Sequence, residues 1–175
     1  MKNFLPPSNP VEILLDTDMA TDCDDAGALA VLHTLAGAGM VRINAVVINN
    51  NDIASLGAVS AINFFYGRGD IPVGIYMGTE IGISSGAFVK ELARDTGRYG
   101  HPDFSVVKPD SAVDVYRRML AASDDGKVVI ASIGHLNNLH ELLFSRPDKF
   151  SPLSGIELIK RKVAHIVVMG GDYPE

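Results

Sequence analysis

Ile13-Leu14-Leu15-Asp16-Thr17-Asp18-Met19-Ala20-Thr21-Asp22-Cys23-Asp24-Asp25-Ala26 holds five aspartates between positions 16 and 25. Upstream, Val11–Leu15 is short and mostly apolar, with prolines before it. Downstream, Ala26 to Ala36 is almost wholly apolar. The pattern predicts a buried strand, a polar loop and a buried helix. Carboxylates gathered at the end of a buried strand repel one another unless a cation or protons neutralise them.

Working outward, the helix after the loop is expected from about Asp24 to Gly37, with Gly37 closing it. Apolar residues surround this helix, which implies burial on more than one side. Arg42–Ile48 reads as a second buried strand that runs into Asn49-Asn50-Asn51-Asp52. Ala54–Tyr66 reads as a helix with Leu56, Val59, Ile62 and Phe65 on one face. Ile71–Ile75 reads as a third strand. Gly78 to Asp110 reads as loop around a short helix at Phe88–Arg94.

Ser111 then opens a helix, with Asp114 placed to complete a capping box. Lys127–Ile133 is a fourth strand, Leu139–Phe144 and Gly155–Lys162 are helices, and Val163–Met169 is a fifth strand. Strands that are continuous apolar runs alternating with helices imply an α/β fold: an open, mostly parallel sheet with helices on both faces. Such sheets form sites at the carboxyl ends of their strands. Here those ends carry Asp16–Asp25, Asn49–Asp52, Ile133–Asn138 and Gly170–Asp172.

Composition narrows the function classes. The chain has 175 residues, 47% hydrophobic and 21% charged, which suits one domain with a sizeable core. Net charge is −6 and no basic stripe stands out, so no nucleic-acid partner is expected. No apolar run approaches the roughly 20 residues needed to span a bilayer, and no membrane partner is expected. Met1 to Asn9 lacks an apolar signal region, and Cys23 is the one cysteine. A cytoplasmic location is the expectation, which a removed leader would overturn.

Three readings of the acidic loop follow from the residues. Asp22, Asp24 and Asp25 at a helix start can serve as caps and complement the helix dipole. That leaves Asp16 and Asp18 unexplained. Oxygen ligands for a hard cation such as Ca²⁺ or Mg²⁺ account for the whole set. The loop lacks the glycine and terminal glutamate of an EF-hand, and no Cys/His spacing suggests zinc. The third reading is a phosphotransferase. An apolar strand ending Asp16-Thr17-Asp18, with Gly171-Asp172 later, resembles the haloacid dehalogenase type, although Ala20 stands where that family expects Thr or Val.

Asp16-Thr17-Asp18 followed by Asp24-Asp25-Ala26-x-Ala28-Leu29 resembles the signature of the inosine–uridine-preferring nucleoside hydrolase family. Gly67-Arg68-Gly69-Asp70-Ile71-Pro72-Val73, Ile133-Gly134-His135-Leu136-Asn137-Asn138-Leu139 and Val167-Val168-Met169-Gly170-Gly171 resemble three further family segments, in the same order. The resemblance implies a Rossmann-like nucleoside hydrolase fold, incomplete here, in a single domain over residues 1–175. It also implies one Ca²⁺ and hydrolysis of the N-glycosidic bond of ribonucleosides.

By the resemblance, Asp18 would be catalytic base and metal ligand, and Asp25 a bidentate metal ligand. The main-chain carbonyl of Ile133 would be a further ligand. Asp24 would contact the ribose hydroxyls, Asn49, Asn50 and Asn51 would lie near the sugar or base, and Asp16 would support the loop. The loop is two residues longer than the family's shortest pattern, which leaves Asp22 as a rival ligand. His135 and Asn137 stand where Pro and Thr are usual.

Family members continue past Met-Gly-Gly with a Glu-Phe-Asn segment, a late metal-binding Asp and base-facing residues. Without these, the resemblance implies weak or absent hydrolysis by this chain alone. A catalytically silent binding domain is therefore the alternative. A sheet that stops at this point is also expected to expose an apolar edge and self-associate as a homo-oligomer.

Among the remaining residues, His33 and His165 are expected in the core, His101 in a loop that could face the cleft, and His140 on a helix surface. Cys23 is expected to pack rather than react, since a negative field raises a thiol's pKa. Ser132 lacks the Gly-x-Ser-x-Gly elbow of serine hydrolases. Lys160-Arg161-Lys162 reads as a solvated helix end.

Overall fold

The computed structural model of the chain describes residues 9–79 and 81–170. Among these, β1 (Val11–Thr17), β2 (Val41–Ile48), β3 (Val73–Ile75), β4 (Asp110–Ser111), β5 (Val128–Ser132) and β6 (Val163–Val168) form one open sheet. Every pairing is parallel, and the order is β4-β3-β2-β1-β5-β6. The connecting helices are α1 (Asp24–Gly37), α2 (Ile53–Phe65), α3 (Ala87–Arg94), α4 (Thr96–Tyr99), α5 (Ala112–Ala122), α6 (Asn137–Phe144) and α7 (Gly155–Lys162). The fold class matches the expectation from sequence: an open parallel α/β sheet, Rossmann-like, covered on both faces.

Alternation along β1 builds two cores. Leu14 faces one way and joins Val47, Val128 and Ile130 beneath α5, α6 and α7, which contribute Tyr116, Leu120, Leu142 and Leu158. Leu15 faces the other way and joins Val46, Ile48 and Ile75 beneath α1, α2 and α3, which contribute Leu29, Leu56, Val59 and Val89. Chain direction across the sheet reverses at β1. The strands β2, β3 and β4 extend to one side of it, and β5 and β6 to the other. The gap beyond the ends of β1 and β5 is therefore the switch point at which open α/β sheets hold ligands.

Several local expectations are corrected. It is α2, not α1, that is enclosed. Seven of the eight residues Ser55–Ile62 are buried, and Gly57 lies so close to Ala93 of α3 that a Cβ would sit 2.7 Å from the Ala93 Cβ. On α1 only Asp25, Leu29 and His33 are buried. The left-handed residue after α1 is Gly39 (φ 71°) rather than Gly37. Ser111 belongs to β4 and makes no side-chain cap to α5, whereas Ser154 and Glu157 form a full capping box on α7. The segment between β3 and α5 holds α4 as well as α3. Finally, β6 is a sheet edge, and His165 on it is exposed rather than in the core.

Candidate active site

The acidic loop begins where β1 ends. The Thr17 hydroxyl donates to the Asp25 carboxylate and accepts the N–H of Met19 at 3.2 Å, which ties the strand end to the first turn of α1. Met19 is fully buried and has φ 40°, a left-handed conformation that a non-glycine residue rarely adopts. It turns the chain sharply just after Asp18. The segment then docks against the loop before α3, with the Gly86 N–H donating to the Ala20 carbonyl at 2.9 Å.

Beneath the loop, Asp16 is fully buried. Its carboxylate accepts from Tyr116 Oη at 2.8 Å, Asn49 Nδ2 at 3.0 Å and Asn138 Nδ2 at 3.2 Å. Burial pushes its pKa up to about 7, against the pull of the three donors, and the neighbouring Asp18 adds to the rise. An enclosed carboxylate with this many partners cannot reach a phosphoryl group. The phosphotransferase reading, which needs Asp16 as nucleophile, has no support in this geometry. Asp16 instead ties the end of β1 to the residue after β2 and to helices α5 and α6.

At the loop's outer side, carboxylate oxygens of Asp22, Asp24 and Asp25 come within 4.8 Å of one another. Asp22 and Asp24 are exposed and Asp25 is buried. Burial pushes the Asp25 carboxyl up to about 7, and the charges of Asp18 and Asp24 reinforce this, with Asp18 in hydrogen-bonding reach. The N-cap of α1 is Cys23 and makes no side-chain cap bond. Asp24 and Asp25 lie in the first turn of α1, where they complement the helix dipole, while Asp22 has neither task. The set offers hard oxygen donors with excess negative charge, a chemistry that suits Ca²⁺ or Mg²⁺. Cys23 is exposed, contrary to the expectation that it packs.

The neighbouring strand ends close on this loop. Asn49 and Asn50 are fully buried, and Asn51 is partly exposed. Asn49 is engaged with Asp16, while Asn50 donates to the Asp18 carbonyl and accepts from the Asp52 N–H at 2.9 Å. The Ile133 N–H donates to the Asp16 main-chain oxygen at 2.8 Å, which seats Ile133 beside the end of β1. A Cβ on Gly134 would meet Asp18 N at 2.9 Å and the Asn49 amide at 2.7 Å, so this turn needs glycine. His135 is about half exposed and holds Nδ1 3.9 Å from the Asp18 carboxylate.

Sequence reasoning assigned no role to Tyr116, Asn137 or Asn138. Asn137 Nδ2 donates to the Asn49 carbonyl at 2.8 Å, and Asn138 Nδ2 also reaches the Ile48 carbonyl at 3.1 Å. The two asparagines lie in a turn that the family resemblance had flagged. Tyr116 sits in a helix with no local signal. Among the described residues, Asn49 Oδ1, Asn137 Oδ1, Asn138 Oδ1 and Ser132 Oγ are buried without a partner, all at these strand ends. His101 does not face the cleft; it is buried and its Nε2 bonds the Ala93 carbonyl at 3.1 Å. His33 is in the core as expected, and His140 is on the surface of α6. Gly171-Asp172 lies outside the described residues.

No protein-family model matches the chain, and no curated protein matches it by sequence. Solved structures do match. The type III effector protein XopQ, solved in complex with adenosine diphosphate ribose, aligns with TM-score 0.73 and 20% identity over 97% of this chain and 47% of its own. The inosine–uridine preferring nucleoside hydrolase from Bacillus anthracis aligns with TM-score 0.68 and 16% identity over 94% of this chain and 52% of its own. The plant nucleoside hydrolase PpNRh1 aligns with TM-score 0.58 and 21% identity over 93% of this chain and 48% of its own. The chain thus spans about half the length of these structures, and at such identities the likeness establishes a shared fold, that of the nucleoside hydrolases.

Proposed function

We propose that the acidic strand end binds a ribosyl ligand together with Ca²⁺, and that its chemistry is hydrolysis of an N-glycosidic bond. The observation that carries the reading is the cluster of Asp22, Asp24 and Asp25 beyond the end of β1, with Asp18 beside Asp25 and Asp16 buried beneath the loop. Asp25, Asp18 and the Ile133 carbonyl are the leading metal ligands, with Asp22 as an additional one. A bound Ca²⁺ would orient a water and the sugar diol and lower the water's pKa.

Each residue then has a task. Asp18 takes the proton from the attacking water. As the C1′–N bond breaks, its electron pair leaves with the base, and positive charge builds on the sugar. The carboxylate cluster stabilises that charge. Exposed Asp24 accepts from the ribose hydroxyls. Asn49, Asn50 and Asn51 frame the sugar side, the first two through the strand ends they hold in place.

A second reading, ribosyl-ligand binding without turnover, is favoured by the openness of the site. Asp22 and Asp24 face solvent, and among the described residues nothing covers them. Desolvation that would strengthen the charges is thus not supplied by these residues. The adenosine diphosphate ribose complex of the XopQ structure fits such a role.

Calcium titration by calorimetry, paired with a ribonucleoside hydrolysis assay, separates the readings. Hydrolysis abolished by chelator and by Asp18→Asn supports the first. Calcium binding with no turnover supports the second. Asp25→Asn is expected to weaken calcium binding by at least about tenfold. A chain that binds no calcium at all would sink both.

A further inference from the structure

The buried residues of α1 are Asp25, Leu29 and His33, spaced so that they form one stripe along the helix, with partly buried Ala26, Leu32 and Ala36 flanking it. One end of the stripe is Asp25 of the acidic site, and the middle is the core residue Leu29. The far end, His33, is polar and yet only 1% exposed.

The His33 ring sits in a seam made by the end of α2 and the turn after it. Its Nε2 lies 2.9 Å from Asn63 Oδ1, and its Nδ1 lies 3.5 Å from an Arg68 guanidinium nitrogen. Its face stacks on the Tyr66 ring, with centroids 4.5 Å apart and planes 9° from parallel. These partners fix the tautomer. Arg68 can only donate, so Nδ1 accepts, and Nε2 carries the one proton and donates to Asn63. A second proton has no acceptor. The other polar atom of the Asn63 amide is Nδ2, a donor, itself buried without a partner among the described residues.

Arg68 is held in place, since its main-chain N–H donates to the Asn63 carbonyl at 2.9 Å. Of the titratable and charged groups, Arg68 and Tyr66 face the ring, and among the described residues no carboxylate oxygen lies within 4.0 Å of its nitrogens. Protonation at Nδ1 sets an N–H⁺ against the guanidinium in a buried seam. Burial, and then the Arg68 charge, hold the ring's pKa below its usual value.

We propose that His33 is an acid-labile anchor for α1 and, through the helix, a positioning residue for Asp25. Neutral, it ties α1 to α2. Protonated, it leaves the seam, and α1 loses the end of its stripe opposite the acidic loop. The anchor rests on the His33 contacts alone; its effect on a metal at Asp25 rests on the calcium reading above.

Native-state hydrogen exchange of the α1 amides, in chelator, at about pH 7.5 and about pH 5.5 tests the anchor. Asp25 works in the opposite sense, because its buried carboxyl holds a proton more tightly than an exposed one. Wild type is therefore compared with His33→Gln, whose amide can make both hydrogen bonds but does not titrate. Acid is expected to increase opening of the second half of α1 more in the wild type, by a factor of up to about ten. Equal responses overturn the proposal. If His33→Gln lacks native circular dichroism, the ring nitrogen shifts of wild-type His33 decide by NMR. An Nε2–H tautomer at about pH 7.5 supports the anchor, and an Nδ1–H tautomer or a charged ring overturns it. Calcium titrations of the two proteins at the same pH values test the link to Asp25. A steeper loss of affinity in acid is expected for the wild type, and parallel losses overturn the positioning role. A chain that binds no calcium sinks the calcium reading and leaves the anchor to be judged by exchange.

Discussion

Asp16 shows how much one buried side chain can organise. It sits at the end of β1, and its partners come from the residue just past β2, from α5 and from α6, so the carboxylate joins four segments. Raised carboxyl pKa values have a defined consequence for stability. Asp16 and Asp25 hold a proton more tightly in the folded chain than in the unfolded one, where a carboxyl titrates near 4. Without metal, their contribution is therefore greatest at acid pH and is lost as the pH rises from about 4 to about 7, by about 1.4 kcal/mol per unit of difference. His33 runs the other way. Burial lowers its pKa, so its contribution is lost as the pH falls below about 6.5. Denaturant melts in chelator should thus show a shallower pH dependence for Asp16→Asn than for the wild type, since His33 is common to both. Identical slopes would mean that Asp16 is not the titrating group. The run of aspartates made Asp16 visible in the sequence; its burial was not visible, because the donors lie up to 122 residues away.

At the scale of elements, periodicity placed α1 and α7 within their observed bounds and found every long strand. The omissions have physical causes. β4 is two residues long and α4 is four, too short to leave a pattern. Enclosure of α2 depends on Gly57 meeting α3, a contact between segments that periodicity within either one cannot report. The turn between β5 and α6 decides whether the site forms. In Gly134→Ala the new methyl would press on the Asp18 backbone, so a loss of about 1–3 kcal/mol is expected together with weakened calcium binding. Gly27→Ala in α1 is the contrasting variant. Nothing lies within 4 Å of the added Cβ, and a gain of about 0.5–1 kcal/mol is expected from helix propensity. Thermal melts of the two should shift in opposite directions, and a neutral Gly134→Ala would refute the close approach.

For the whole molecule, an apolar edge stands out: among the described residues no strand pairs with the outer side of β6. Val167 is 59% exposed and Met169 56%, and Ile166 and Val168 are also open. On the register with β5, Ile166 and Val168 share one face of the sheet and Val167 takes the other, so apolar side chains flank the free backbone on both sides. Such an edge favours strand addition. We expect concentration-dependent self-association in analytical ultracentrifugation, reduced by Val167→Lys, which puts a charge on the edge. A species that stays monomeric across the whole concentration range would count against it.

The sequence by itself determined the alternation of strands and helices, the two-sided burial of the sheet and the place of the acidic loop at a strand end. These follow from local periodicity and from the spacing of apolar and polar residues along a few turns or strands. Only the tertiary structure decided three further matters. These are the reversal of strand order at β1, which makes the acidic loop face Gly134 and His135; the three-donor cage around Asp16; and the exposure of His165 on β6. Each depends on which distant segments become neighbours, and an apolar run such as Val163–Val168 reads the same whether another strand lies beside it or not.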